Sequence, residues 1–516
     1  MNSQRSDGIP TKILRVWSAR LLVLAVGGIL FLTIYPFKFG LPSGVSAWKL
    51  PFRLESGFKP VGLLDDFLNV LLFVPFGFGV AGMLRSRGKS GGRSLMVAWG
   101  LGILLSYSVE FTQYYIPYRD SGWHDVITNS TGSLLGALIF SWCGAACLGM
   151  MAKAEGVTAA ALSHPIGAWL IFGYLAIWLV VAAPMQMRTR LSDWDQNCLL
   201  IVGNVMSSRS NTAWRGEIYR LEIWNKAVPE DAARRITNGQ PADIAPSGLV
   251  AAYDFTSPSA FKDQKGDLPD LVWSAATEPT VVSKPVVLDG KSWLTSKAPV
   301  GSLIKDIQET SQFSVHVVCL PADPGARDWH ITTLSREPGI ADFDFEQNHG
   351  DLIFWFRSPL SERHYPMSWI TEDFFKARRI YDMLFTYDGA DLSLYVGGQK
   401  EHRLYRMGPA TVLARLIRNV KPAELEGYRY MFYALVFFPA GILMGIASRK
   451  TQAGQRMGWF AIAATILIPA VMLEAILVWV SGRRVILSGP ILSVCWAVAG
   501  MWWINLLHSA TTEAKD

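Results

Sequence analysis

The sequence is poor in the clusters that mark metal domains and soluble enzymes. Five cysteines occur in 516 residues (Cys143, Cys147, Cys198, Cys319 and Cys495), with no CxxC pair and no His/Cys cluster. A structural zinc site is therefore unsupported. No GxSxG, HExxH or P-loop sequence is present, so no motif supplies a nucleophile or a phosphate cradle. The net charge of +6 comes from scattered loop Lys and Arg. With no basic stripe, nucleic acid is not expected as a partner. No small-residue cleavage motif follows the first apolar run at "LTIYPFKFG", which therefore reads as a retained anchor.

What the chain has is hydrophobic blocks. Half of its residues are hydrophobic and 20 are Trp. The apolar runs gather near both ends, and the middle has ordinary soluble composition. The expected organisation is a five-span helical domain over 1–184, a water-exposed insert over 185–428 and three further spans over 429–516. A span needs about 20 mainly apolar residues to cross ~30 Å of hydrocarbon. Eight runs qualify: 18–36, 66–84, 95–115, 125–148, 165–184, 429–447, 457–480 and 485–507. With the N-terminus inside, thirteen Lys and Arg fall in inside loops and seven in short outside loops, led by the "RSRGKSGGR" turn. That bias predicts a multi-pass protein with both termini cytoplasmic and the insert extracytoplasmic.

Three spans carry polar residues to the same end. Asp65, Asp66 and Asn69 open the second, in "LLDDFLNVLLFVPFGF". Glu110 and Gln113 close the third, Arg119 and Asp120 lie in the short loop, and His124, Asp125 and Asn129 open the fourth. Asp66/Asn69 and Glu110/Gln113 are i,i+3 pairs and Asp125/Asn129 is i,i+4, so each pair shares a helix face. Ionisable groups at this depth turn towards partners or a water-filled cavity. Asp65 and Asp125 read first as N-caps, and Asp66 and Asn69 have a simpler role as helix-to-helix contacts. Glu110 needs a partner, and Arg119 is the natural countercharge. A lone interfacial His124 is not expected to carry protons. Pro75 and Gly77 read as helix-shape residues, and Gly132 and Gly136, in "GSLLG", as a small-xxx-small contact.

Asn69 with "LLFVPFGF", Glu110-x-x-Gln113, then Asp125 and Asn129 followed by "GSLLG" resemble the VanZ-like family of membrane proteins. The resemblance covers roughly residues 20–150. The family takes its name from a member linked to resistance to a glycopeptide antibiotic, so the resemblance implies a place in a bacterial cell envelope, in the plasma membrane. Its polar motif positions carry over to Asp66, Asn69, Glu110, Gln113, Asp125 and Asn129. It assigns no reaction.

In the insert, "FSVHVVCL", "DLIFWFRS", "YDMLFTYDG" and "DLSLYVGG" alternate as strands do. Many short aromatic strands separated by "DG" and "GG" turns predict an all-β antiparallel sandwich. "GLVAAYDF", "VVLDGKSWLTS", "FSVHVVCLPA" and the hairpin "LFTYDGADLSLYVGGQ" resemble the laminin-G-like, concanavalin-A-like jelly roll. The phrase that usually closes that fold is similar to "WRGEIYRLEIWNKAVPEDAARRI", which here comes first, at 214–236. Either the domain is circularly permuted or 198–236 is a remnant of a second copy. Permutation is preferred, because two membrane anchors need entry and exit close together.

Asp254, Asp263, Asp289, Asp342 and Asp344 are the candidate Ca²⁺ ligands, although loop aspartates read first as turn formers. "DFDFEQ" puts Asp342, Asp344 and Glu346 on one strand face, loosely resembling a glucanase pattern but without its residue order. Cys198 and Cys319 both lie in the insert and form a candidate disulfide. Glu474 with Arg483 and Arg484 reads as a local ion pair. No cofactor is implied.

Two function classes remain. One is a non-enzymatic envelope protein, in which the sandwich binds a glycan or surface partner and the helices hold a lipid-linked envelope component. The other is a membrane-embedded enzyme with Glu110 or Asp125 as acid or base and Arg119 on an anionic group. Transport is disfavoured, since the polar residues lie away from the midplane and no inverted repeat is evident.

Overall fold

The computed structural model describes residues 9–507 except 36, 38, 41–62, 117–121, 163–165, 207–211, 240–246, 275–284, 338–339, 362–366, 402–404, 418–424 and 450–454. The chain forms two compact units, one of Met1–Leu175, Tyr433–Leu467 and Leu492–Asp516, the other of Ala176–Phe432 and Ile468–Ile491.

The helices follow the apolar runs. They are α1 (Thr11–Ile34), α2 (Leu63–Ser86), α3 (Gly91–Gln113), α4 (Trp123–Ile139), α5 (Ala145–Leu162) and α6 (Ile166–Met187). Among the described residues, seven helices are long and apolar enough to cross a membrane. The chain is a multi-pass membrane protein. The fourth expected span does not stop near 148: α4, a π turn at Phe140–Gly144 and α5 form one 40-residue helix. Its distal part, "AACLGMMAKAEGVTAAAL", is rich in alanine and contains no proline, so nothing in it breaks a helix. At 1.5 Å per residue such a helix spans about 60 Å, roughly twice the hydrocarbon thickness.

Small residues decide the packing of α2 on α4. A Cβ on Gly132 would lie 2.1 Å from the Val70 carbonyl oxygen, and one on Gly136 2.0 Å from that of Val74. Gly77 is equally tight, with its Cβ position 1.8 Å from the Ser133 oxygen. It is a close-approach residue and does more than shape its helix. Lipid tails give apolar helices little reason to associate, so backbone approach and interhelical hydrogen bonds must hold them together. Ser133 adds one such bond, from Oγ to the Ala98 carbonyl at 2.8 Å.

The far end of this unit has its own polar knot. Arg20 of α1, 1 % exposed, donates to Glu155 Oε2 at 2.8 Å and to the Ile504 carbonyl. Arg449 also reaches Glu155 and the Ile504 carbonyl. It follows α10, the tenth helix in order; α7 to α9 are Glu230–Ile236, Gly301–Thr310 and Pro409–Ile417, and α10 to α12 are Leu425–Ser448, Gln455–Ser481 and Ser488–Asn505. The expected eighth span corresponds to α12, whose 18 residues are not among the seven candidates. It packs in parallel with α10: Gly441 abuts the Ala497 carbonyl and Gly445 abuts Met501. The start of α1 and the ends of α5, α10 and α12 therefore share one end of the unit.

The second unit holds two antiparallel sheets around one core. Its strands are β1 (Leu199–Val202), β2 (Arg215–Trp224), β3 (Leu249–Asp254), β4 (Leu271–Trp273), β5 (Val286–Asp289), β6 (Leu294–Ser296), β7 (Phe313–Pro321), β8 (Trp329–Glu337), β9 (Ile340–Asn348), β10 (Asp351–Phe356), β11 (Met367–Thr371), β12 (Tyr381–Tyr387), β13 (Asp391–Val396), β14 (Gln399–Lys400) and β15 (Tyr405–Arg406). One sheet runs β11-β10-β9-β8-β1-β6-β4 and the other β14-β13-β12-β7-β2-β3, with β5 on β2 and β15 on β13. Phenylalanines interlock across the gap, with Phe385 of β12 at 4.3 Å from Phe354 and 5.0 Å from Phe345 between ring centroids. Each fully buried ring is worth about 1.5–3 kcal/mol by its apolar area.

Residues 198–236 are internal to this unit. β1 pairs β6 and β8, and β2 pairs β3, β5 and β7, so the segment gives an inner strand to each sheet. The candidate disulfide is not formed. Cys198 and Cys319 are free and buried, Cys198 just before β1 of one sheet and Cys319 within β7 of the other. Burial raises the pKa of both thiols. Glu474 and Arg483 do pair, through two bonds of 2.7 and 2.8 Å, and Glu474 also accepts from Ile486 N.

Candidate functional site

The polar ends of α2, α3 and α4 sort into two layers. In the deeper layer Glu110, Gln113 and Asn129 are 2, 7 and 3 % exposed. Each ties neighbouring segments together. Gln113 Nε2 donates to the Thr33 carbonyl of α1 at 2.9 Å, and Asn129 Nδ2 donates to Ser106 Oγ of α3 at 3.0 Å. Glu110 Oε2 accepts from Gly122 N, at the start of α4, at 3.1 Å. The Asn129 Oδ1 atom is buried and makes no hydrogen bond among the described residues.

The shallower layer is accessible. Asn69 Nδ2 donates to Asp125 Oδ1 at 3.0 Å, which joins α2 to α4. Beside it His124 Nε2 and Asp66 Oδ1 lie 2.6 Å apart, their side chains 50 and 28 % exposed. His124 thus has a carboxylate partner that sequence spacing did not indicate, because that partner comes from another helix. Arg119, the expected countercharge, and Asp120 lie outside the described residues.

Neither Asp65 nor Asp125 is an N-cap. Gly122 is the N-cap of α4, and Asp125 sits in its first turn with its carboxylate turned to Asn69. Asp65 likewise lies inside the first turn of α2. Carboxylates there still favour the positive end of the helix dipole. A shallow cleft of about 420 Å³ opens at the same end of α3, lined by Phe39, Gly40, Phe111, Thr112 and Tyr115.

In the β-rich unit, most of the candidate Ca²⁺ carboxylates are engaged by turns and backbone. Asp254 accepts from Thr256 N, and Asp289 accepts from Lys291 N and Ser292 N. Asp263 accepts from the N–H groups of Ala252, Lys265, Asp267 and Leu268. Both oxygens of Asp342 accept from Asp195 N, and burial pushes its carboxyl up to about 7. Asp344 instead contacts His330 Nδ1 at 2.6 Å.

Helices of this length and a β-rich region of two antiparallel sheets define the class: a multi-pass membrane protein with a helical part and a β-rich domain. The particular likeness belongs to the N-terminal helices. Residues 21–144, from α1 into the π turn, match the VanZ/LLP1 family model. No curated protein and no solved structure matches the chain.

Proposed function

We propose that this is a bacterial cell-envelope protein of the plasma membrane with both termini cytoplasmic. Its VanZ-like helices hold the polar head of a lipid-linked envelope component, and its extracytoplasmic β-rich domain binds a glycan or surface partner. The excess of basic residues in the loops assigned to the inside supports that orientation. The β-rich domain is a permuted laminin-G-like, concanavalin-A-like jelly roll in this reading, supported by the inner positions of β1 and β2.

The observation that carries the reading is the accessible group Asp66, Asn69, His124 and Asp125 at one end of α2 and α4. With Asp65 it is rich in hydrogen-bond acceptors, which suits a head bearing hydroxyls or amines, as a saccharide does. The apolar cleft on α3 offers a place for hydrocarbon. Glu110, Gln113 and Asn129 serve as the support beneath.

One observation favours an enzyme as the second reading. The Asp66–His124 contact has the geometry of an oriented general base. The acid–base role then moves from Glu110, which is buried, and from Asp125, which is bonded to Asn69, to His124. The test is native mass spectrometry of the full-length protein with a panel of lipid-linked cell-wall precursors, repeated with Asp66→Asn and His124→Gln. Retention that both substitutions abolish supports the pocket, and turnover lost with His124→Gln supports the enzyme. Absence of retained lipid removes both.

A further inference from the structure

His330 on β8 stands opposite Glu346 on β9, and Asp344 lies two residues along β9 on the same face. Phe343 and Phe345, on either side of Asp344, belong to the core, so the three side chains occupy the other face of the sheet. A ring nitrogen of His330 and one carboxylate oxygen from each acid all lie within 4.8 Å of one another. A β-bulge between His330 and Thr332 sets the imidazole out of regular register.

A buried His–Asp pair is by itself an ordinary structural contact. Two features go further. Asp344 is fully buried, and while Oδ2 contacts His330, Oδ1 makes no hydrogen bond among the described residues. A carboxylate oxygen held dry without a donor is costly. Two carboxylates, Asp344 and Glu346, also share the one imidazole, while Asp328 beyond them pairs with Arg327 at 3.5 Å. Asn348 Nδ2 donates to Glu346 Oε1 at 3.2 Å and to Asp328 Oδ1 at 2.9 Å, fixing the outer carboxylates as second-layer partners do around metals.

The geometry points to a divalent transition-metal site of the Zn²⁺ class, ligated by His330, Asp344 and Glu346. One imidazole and two carboxylates suit Zn²⁺, whereas Ca²⁺ takes six to eight oxygens. Bonds of 2.0–2.2 Å place ligand atoms roughly 3–3.5 Å apart, so closure needs side-chain movement of about an ångström. Three protein ligands leave a coordination position open. Trp355 of β10 is the register partner of Asp344 on that same face, so a ligand at the open position has an aromatic neighbour. The site goes beyond the lipid reading and stands whether or not the helices bind an envelope component.

The test uses tag-free full-length protein, stripped with a chelator and titrated calorimetrically with Zn²⁺ and, separately, Ca²⁺. The expected result is one Zn²⁺ per chain in the micromolar range or tighter, weakened on the order of 100-fold in His330→Gln and in Glu346→Gln. Glu346 is half-buried, so Glu346→Gln keeps the test open if the His330 variant misfolds; near-ultraviolet circular dichroism reports that fold. No Zn²⁺ binding, Zn²⁺ binding that Glu346→Gln leaves unchanged, or a preference for Ca²⁺ overturns the proposal.

Discussion

The His316 triad gives a quantitative test of the β-rich unit. His316 on β7 bridges Glu222 on β2, through Nδ1 at 2.8 Å, and Asp382 on β12, through Nε2 at 2.7 Å. It is 1 % exposed, and the Glu222 side chain is 6 % exposed. Burial alone lowers an imidazole pKa, but here the bonds to Asp382 and Glu222 outweigh it and leave His316 above its ordinary value. The protonated ring donates to both carboxylates, whereas a neutral ring has one N–H for two acceptors. A folded-state pKa above the unfolded value means this stabilisation is complete below about pH 6.5. It is lost as pH rises through the folded-state pKa. Replacing His316 with Gln leaves Glu222 buried without its cation, which costs about 3–5 kcal/mol. At about 2–4 °C per kcal/mol for a unit of this size, Tm falls by roughly 6–20 °C. Differential scanning fluorimetry of the full-length protein at pH 6 and pH 9 reads this directly. The gap between wild type and His316→Gln should be widest at pH 6 and narrower at pH 9. A variant within about 2 °C of wild type at pH 6, or a gap that widens with pH, refutes the reasoning.

Gly136→Ala forces a methyl group to within 2.0 Å of the Val74 oxygen, whereas Gly100 has nothing within 4 Å of its Cβ position. The first should lose about 1–3 kcal/mol or more from overpacking, and Gly100→Ala should be neutral or stabilising, as thermal unfolding in nanodiscs would show. Asp342, with its folded pKa near 7, makes stability fall as pH rises from the ordinary carboxylate range towards 7. Asp342→Asn should flatten that slope in a pH series of chemical denaturation midpoints.

Seven of the eight expected spans were legible because a run of about 20 apolar residues is a local signal that later contacts do not reverse. The strands at 313–321, 351–356, 381–387 and 391–396 were legible for the same reason, since alternation needs only one buried face. The length of the fourth helix was hidden, because "MMAKAEGVTAA" loses its apolar character without a break in helix propensity. Cap identity was hidden as well. Asp125 has the right chemistry for an N-cap, but the helix begins at Trp123, and its side chain answers to Asn69 across the interface. The common face of Asp344 and Glu346 followed from the two-residue period, yet His330 reached them only through strand pairing. The same limit applies to the Asp66–His124 contact and to Cys198 and Cys319, whose separation depends on which sheet each strand joins.

The proposed occupant of the accessible ends of α2 and α4 is a saccharide-bearing lipid head. The most direct measurement is photolabelling of the full-length protein in nanodiscs with a lipid-linked cell-wall precursor carrying a photoreactive group on its sugar, mapped by peptide mass spectrometry. Labelling should concentrate on residues 65–69 and 123–128, be competed by unlabelled precursor, and be lost in Asp66→Asn but kept in Gly100→Ala. Labelling confined to other helices, or undiminished by Asp66→Asn, contradicts that placement.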